Sequence, residues 1–179
     1  TNANAQLVTA LDNGDLIKNQ FFYSNSHFDL HTNFTFFLVD PINGDEIRQK
    51  EARDLAGYNG SYNHIGYIGA TKLTTDAGLN VRYDMTHNSE LSHTKDRFTI
   101  LEQIKSGGIK QLDIAPYLSE TFTFNNHFSI NAGLRFDQFY YKYNNKLVSD
   151  STLSGAGIYK ANANTLSPKL NFFYHVNDR

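Results

Sequence analysis

The sequence predicts an all-β chain, specifically a segment of antiparallel transmembrane β-barrel wall with about seven meandering strands. Three observations lead to this fold class. Alternation of polar and apolar residues persists for about ten residues per strand, the length that crosses a bilayer when a strand is tilted. Short connections alternate with long ones, as in barrels that have short periplasmic turns and long external loops. Phe and Tyr make up 14% of the chain and Trp is absent, which suits β structure.

Composition excludes several classes of protein. The chain has 179 residues, a net charge of −2 and no Cys, so it contains neither disulfides nor thiolate metal sites. The small net charge gives no reason to expect a nucleic-acid partner. Mean hydropathy is −0.49, and no apolar run approaches the ~18 residues of a membrane helix. The chain starts without a signal peptide and stops at the end of an apparent strand, so we expect a piece of a longer protein.

The first third of the chain contains weaker signals. Residues 2–11 alternate loosely, and residues 12–15 predict a tight turn because Asn and Gly tolerate positive φ. A strand follows from about Ile17 to Val39, and a change in its alternation predicts a bulge near Ser24-Asn25. Residues 40–54 begin with turn chemistry and continue as a charged loop, with a short helix expected around 47–55.

The clearest strand lies in the middle of the chain. Residues 55–65 predict a Gly- and Tyr-rich strand, residues 66–70 a turn, and Thr71 to Met85 a strand that alternates without a break. Its apolar side consists of Leu73, Thr75, Ala77, Leu79, Val81, Tyr83 and Met85. Its polar side consists of Lys72, Thr74, Asp76, Gly78, Asn80, Arg82 and Asp84. A polar loop is expected over 88–108.

A long hairpin is predicted between Lys110 and Tyr143, with a two-residue turn at Asn125-Asn126. Pro116 interrupts its first strand and lacks an amide donor, which predicts a bulge there. The apolar side of its second strand is formed by Phe128, Ile130, Ala132, Leu134 and Phe136. A loop at 144–164, a strand at 166–176 and a turn at Asn177-Asp178 complete the chain.

Short and long connections alternate along the chain. Short turns are placed at 12–15, 66–70, 125–126 and 177–178, and long loops at 40–54, 88–108 and 144–164. An outer-membrane barrel sorts its connections in this way, whereas a soluble β-sandwich has no reason to do so. The residues leave the sandwich open as an alternative, in which the same apolar side chains would form a core.

Several segments resemble a known family. They are FTFFL at 34–38, APYLSE at 115–120, FSINAGLRFD at 128–137 and LSPKL at 166–170. This pattern is similar to the barrel of the TonB-dependent receptors of the Gram-negative outer membrane, and the resemblance extends from about residue 20 to the end. Such receptors close about 22 strands around a plug. The resemblance therefore implies that residues 1–179 are a partial receptor β-barrel, with the plug domain and the remaining strands absent.

The resemblance also implies a function. Receptors of this kind capture a scarce nutrient, most often a ferric siderophore, and import it with energy supplied through TonB. The implied partners are the TonB complex, reached through the missing plug region, the siderophore or other nutrient, and outer-membrane lipid. No cofactor is implied. The residues also leave open a surface-attached or soluble carbohydrate-binding module and a passive porin-like barrel.

Two groups of residues are candidates for binding. Arg82 with Asp84 and Arg135 with Asp137 face the predicted lumen, where they are expected either to contact the plug or ligand or to form a structural ion-pair network. His87, His93 and Arg97 are expected in an external loop, either as ligand contacts or as solvated side chains.

Catalysis and metal binding are not predicted. The sequence lacks a Cys nucleophile, the G-x-S-x-G and H-E-x-x-H motifs and a phosphate-binding loop, so we do not expect an enzyme. His27 and His31 share one face of a strand but lie roughly 13 Å apart, which is too far for one metal ion.

Overall fold

In the part of the chain that the structure describes, seven antiparallel strands pair in the order in which they occur in the sequence. A computed structural model describes residues 1–149, 153 and 155–176. The strands are β1 (Asn2–Ala10), β2 (Leu16–Thr32), β3 (Ile47–Ile68), β4 (Thr71–Lys95), β5 (Thr99–Thr123), β6 (Phe128–Asn145) and β7 (Gly157–Tyr174). The predicted all-β meander is therefore confirmed. No helix in the described residues has the length and apolarity needed to cross a membrane.

The sheet has one apolar and one polar face over the part nearest the short turns. On β4 the apolar face carries Leu79 and the polar face carries Asn80. The pairing continues this division, because Leu79 lies opposite Pro116, Leu118 opposite Leu134, and Leu134 opposite Pro168. The division follows from strand geometry, in which successive side chains point to opposite sides.

The apolar face is not covered by a second layer. Ala115 is the one buried apolar residue among those described, whereas the exposed fraction is 48% for Leu134 and 64% for Phe172. A soluble sandwich would bury these side chains between two sheets, and the described residues form one sheet. The sandwich alternative is therefore wrong.

The short turns lie at one end of the sheet. Gly14 and Gly69 adopt positive φ values of 87° and 61° in the first two, a conformation that glycine adopts without a steric penalty. The third turn spans 124–127 rather than two residues, because Asn125 Oδ1 accepts hydrogen bonds from the amides of His127 and Phe128, each at 2.9 Å. The turn predicted at Asn177-Asp178 lies outside the described residues.

The strands extend much further at the opposite end than the sequence pattern indicates. The helix and loop predicted at 47–54 are wrong, since these residues begin β3. The loop predicted at 88–108 is also wrong: β4 and β5 continue to a turn at 96–98, where Asp96 and Arg97 have positive φ. The third loop is predicted too long, because β6 continues to Asn145 and β7 already begins at Gly157. These extensions carry polar residues on both faces, so alternation cannot reveal them.

The strand predicted at 17–39 ends at Thr32, and a loop of residues 33–46 follows. The bulge predicted at Ser24-Asn25 is wrong, because β2 and β3 pair in one register throughout. A register shift occurs instead between Lys50 and Ala52.

Pro116 causes no register shift. The pairs Ile114–Gln138 and Tyr117–Arg135 keep one register on either side of two unpaired positions. The predicted bulge is therefore replaced by a local gap in the hydrogen-bond ladder, which fits the missing amide donor of proline.

Candidate functional site

An ion-pair cluster lies on the polar face where β3 and β4 meet. Asp84 accepts hydrogen bonds from Arg82 Nη2 at 2.9 Å and from Arg53 Nε at 2.8 Å. Only 5% of Asp84 is exposed. The predicted Arg82–Asp84 pair is thus present, and Arg53 from β3 completes it. The sequence could not reveal Arg53 because its place was assigned to a loop.

The second predicted pair is also formed. Arg135 Nε lies 2.9 Å and 3.0 Å from the two carboxylate oxygens of Asp137. Arg135 Nη1 also donates to Asn80 Oδ1 at 2.6 Å. This contact joins β6 to β4 across the intervening β5, where Ala115 lies opposite Asn80 and is fully buried. The small alanine side chain leaves room for the long arginine side chain to cross.

Side-chain amides extend this network across the sheet. Asn80 Nδ2 donates to Asn59 Oδ1 at 2.8 Å, and Asn59 Nδ2 donates to Gln20 Oε1 at 3.0 Å. The polar face therefore carries a connected set of hydrogen bonds from β6 to β2. Such a set holds polar groups at fixed positions on one wall.

Asp113 of β5 lies opposite Arg82 on the polar face. Its Oδ1 atom is buried and has no hydrogen-bond partner within the described residues. A buried acceptor without a donor is uncommon in folded proteins. Asp113 is therefore a further acceptor position on this wall, one that the sequence alone did not single out.

His87 lies in β4 and not in a loop. Its Nε2 atom is 3.2 Å from Asp54 Oδ2, and Asp54 also accepts hydrogen bonds from Tyr23 Oη at 2.6 Å and Asn25 Nδ2 at 2.8 Å. These side chains belong to the same side of the sheet as Leu79, so His87 is separated from the polar-face cluster.

His93 and Arg97 hold the 33–46 loop against the tip of the β4–β5 hairpin. His93 Nε2 lies 2.7 Å from the carbonyl oxygen of Gly44. The amide of Arg97 donates to Glu46 Oε1 at 2.9 Å, and Thr94 Oγ1 donates to the same atom at 2.7 Å. Both predicted residues thus contact the 33–46 loop at the long-loop end, His93 through its ring and Arg97 through its backbone amide.

The 33–46 loop is organised around Asp45. Its carboxylate accepts hydrogen bonds from the backbone amides of Asp40 at 2.6 Å, Leu38 at 2.8 Å and Val39 at 3.0 Å. The amide of Asp40 has the largest influence, and these donors lower the pKa of Asp45 from 3.8 to about 2. Hydrogen bonds to the charged form favour ionisation.

We expect the 33–46 loop to open in acid. A depressed pKa means that ionised Asp45 stabilises the folded loop fully above pH ~4, and that this stabilisation is lost as the pH falls through about 2. Asp45→Asn should remove it at neutral pH, which would appear as faster hydrogen exchange of the Leu38 to Asp40 amides. Asp12→Asn removes the same charge at the opposite end of the sheet and should leave these amides unchanged. Equal exchange in wild type and Asp45→Asn would contradict the assignment.

A cleft of about 810 Å³ opens on the polar face near the long-loop end. Its charged and aromatic lining residues are Lys50, Glu51, Arg53, Glu90, Lys105, Phe28 and Tyr143. Cationic side chains outnumber carboxylates here by one. Within the described part of the chain, no group of three or more His, Cys, Asp or Glu residues is arranged to hold a metal ion.

Comparison with known proteins places the chain among barrel proteins. The family model described as "TonB dependent receptor-like, beta-barrel" matches residues 1–179. None of the curated protein sequences matches. The crystal structure of the ferric citrate transporter FecA in its unliganded form is 17% identical, with a TM-score of 0.79 over 99% of this chain and 25% of that chain.

A second solved protein has the same fold. The open form of Fiu, the ferric-catecholate import receptor from E. coli K12, is 9% identical, with a TM-score of 0.64 over 99% of this chain and 33% of that chain. The chain therefore spans a quarter to a third of the length of these proteins. At these identities the similarity establishes the fold.

The family match covers the whole chain, and the seven-strand meander agrees with it. Proteins of this family are transport receptors of the Gram-negative outer membrane and not enzymes. The chain belongs to the TonB-dependent receptor-like β-barrel family.

Proposed function

We propose that this chain is part of the barrel wall of an outer-membrane TonB-dependent transporter that imports a ferric siderophore. The observation that carries the proposal is the family match over the whole chain. The uncovered apolar face supports a position against lipid, since the exposed fraction of Leu166 and of Leu170 is 60%. On this proposal residues 1–179 belong to a larger barrel that encloses a plug, and the TonB complex acts through that plug.

The predicted site residues have two proposed roles: the two ion pairs line the lumen, and His93 and Arg97 position an external loop. Arg82 with Asp84 and Arg135 with Asp137 line the lumen, where most of their charge is neutralised within the wall. The unpartnered Oδ1 atom of Asp113 lies beside them and is suited to accept a hydrogen bond from the plug. His93 and Arg97 position the 33–46 loop, which borders the entrance on the external side.

The cleft near the long-loop end is the proposed first contact for the cargo. Ferric complexes of citrate and of catecholates are anionic, and Arg53 and Lys105 place cationic groups on the cleft walls. Phe28 and Tyr143 supply aromatic surface beside them. The names of the two structural neighbours, a ferric citrate transporter and a ferric-catecholate import receptor, are consistent with a ferric chelate as cargo.

Binding to the purified intact receptor tests this function. We expect ferric citrate or a ferric catecholate to quench receptor fluorescence in a saturable way, and the iron-free chelators to bind much more weakly. Phe28→Ala in the cleft should weaken binding by about five- to tenfold. Phe172→Ala removes a similar ring from the apolar face and should leave the affinity unchanged. Binding of some other nutrient but no ferric chelate would contradict the siderophore assignment.

A further inference from the structure

Three lysines occupy one row of the sheet on its apolar side. Lys110 of β5 lies directly opposite Lys142 of β6, and Lys142 lies opposite Lys160 of β7. No hydrogen bond or ion pair joins any of them to another described residue. Like charges in direct cross-strand opposition destabilise a sheet. An anionic group from outside the wall would reduce the repulsion among these three lysines.

The row lies at the upper edge of the apolar band. The next row toward the short turns contains Leu112 opposite Tyr140, and further rows contain Leu118 opposite Leu134 and Phe122 opposite Ile130. From Phe122 to Leu112 the strand rises by roughly 34 Å. At the usual tilt of barrel strands this corresponds to roughly 26 Å across the membrane. The lysines therefore lie where the hydrocarbon ends and the lipid headgroups begin.

A shallow pocket of about 250 Å³ opens at the same level. Its lining includes Lys110, Lys142 and Lys146 together with His87, and it contains neither Asp nor Glu. Lys142 is half-buried, between the exposed Lys110 and Lys160. A pocket with several cationic groups and no carboxylate is complementary to phosphate.

We propose that this lysine row binds the phosphate groups of an anionic lipid at the external surface of the outer membrane. The inference rests on the proposed function, because it requires the apolar face to contact lipid. The lysine ammonium groups contact the headgroup phosphates, while Leu112 and Tyr140 contact the start of the acyl chains. Juxtamembrane basic residues attract anionic lipid in this way, and the lipid phosphates offset the repulsion within the row.

Lipid binding to the intact receptor in detergent micelles tests the proposal, with bisphosphorylated lipid A as the probe. The triple variant Lys110→Gln, Lys142→Gln, Lys160→Gln should bind it roughly 100-fold more weakly. The matched control Lys18→Gln, Lys72→Gln, Lys169→Gln removes three charges from the opposite face and should change binding by no more than about twofold. If the triple variant does not fold, Lys142→Gln alone should weaken binding by roughly fivefold.

Three results would overturn the proposal. The first is that dephosphorylated lipid A binds as tightly as the bisphosphorylated form. The second is that the triple variant and the control lose the same amount of lipid A affinity. The third is that soluble pyrophosphate displaces lipid A at a similar concentration, which would indicate a site for a free anion. Ferric-chelate binding measured on the same samples separates the two proposals. If the wild-type receptor binds the ferric chelate but not lipid A, only the lysine-row proposal fails. If it binds lipid A but no ferric chelate, only the assignment of the cargo fails.

Discussion

Gly78→Ala is expected to destabilise the intact receptor by about 2 kcal/mol. A Cβ atom at Gly78 would overlap the carbonyl oxygen of Gly60 and would lie 2.5 Å from Cε1 of Tyr117. Tyr117 lies opposite Gly78 on β5, so its ring covers the bare backbone of β4. The added methyl group forces the ring away and also strains the β3–β4 pairing. Urea unfolding of the receptor in micelles, followed by gel mobility, measures the change.

Gly133→Ala is the matched control for this prediction. A Cβ atom at Gly133 would lie 3.5 Å from the carbonyl oxygen of Leu118 and 3.6 Å from the side chain of Ser119, which are ordinary contacts. The free energy of unfolding of the Gly133→Ala receptor should stay within about 0.5 kcal/mol of the wild-type value. Similar losses at Gly78 and Gly133 would mean that any glycine on these strands is sensitive, and that the cover by Tyr117 has no special role.

Arg135→Leu is expected to cost about 2 kcal/mol. The substitution leaves Asp137, whose side chain is 13% exposed, without its cation. It also leaves Asn80 without a donor and removes a positive charge near Asp113, the diagonal neighbour of Asp137 on β5. The estimate lies below the range for fully buried pairs because the Arg135 side chain is 38% exposed. Urea unfolding in micelles again measures the effect.

Two further variants isolate the ion pair. Arg48→Leu breaks a similar pair with Asp29, whose side chain is 44% exposed, and should destabilise the receptor much less than Arg135→Leu because water screens that pair. Adding Asp137→Leu to Arg135→Leu should recover part of the lost stability, since no unpaired Asp137 carboxylate remains. A double variant less stable than Arg135→Leu would show that Asp137 has other partners.

Strand periodicity predicted the part of the fold that separates two environments. Thr71 to Met85 alternates because one side is apolar and the other polar, and β4 indeed begins at Thr71. Beyond Met85 both sides meet polar surroundings, so the extension to Lys95 left no periodic signal. The same reason hid the start of β3, where charged residues around Glu51 read as a loop although they pair with β2.

The sequence predicted those contacts of the site that join residues of the same strand. Arg82 with Asp84 and Arg135 with Asp137 are two residues apart, so alternation placed each pair on one side of the sheet. Arg53 and Asn80 approach them from other strands, at positions fixed by register. Register depends on turn lengths and bulges, and the bulges were misplaced. Cross-strand partners were therefore beyond the reach of the sequence alone.

The strict sequential order of the strands has a consequence for assembly. Every ladder joins strands that follow one another in the chain, so each hairpin closes a short loop at small entropic cost. This order allows the wall to form by the addition of successive hairpins. The contact of Arg135 with Asn80 forms only after β4, β5 and β6 have aligned. A slip of one residue would turn Arg135 toward the apolar side, so the contact with Asn80 is compatible only with the native register.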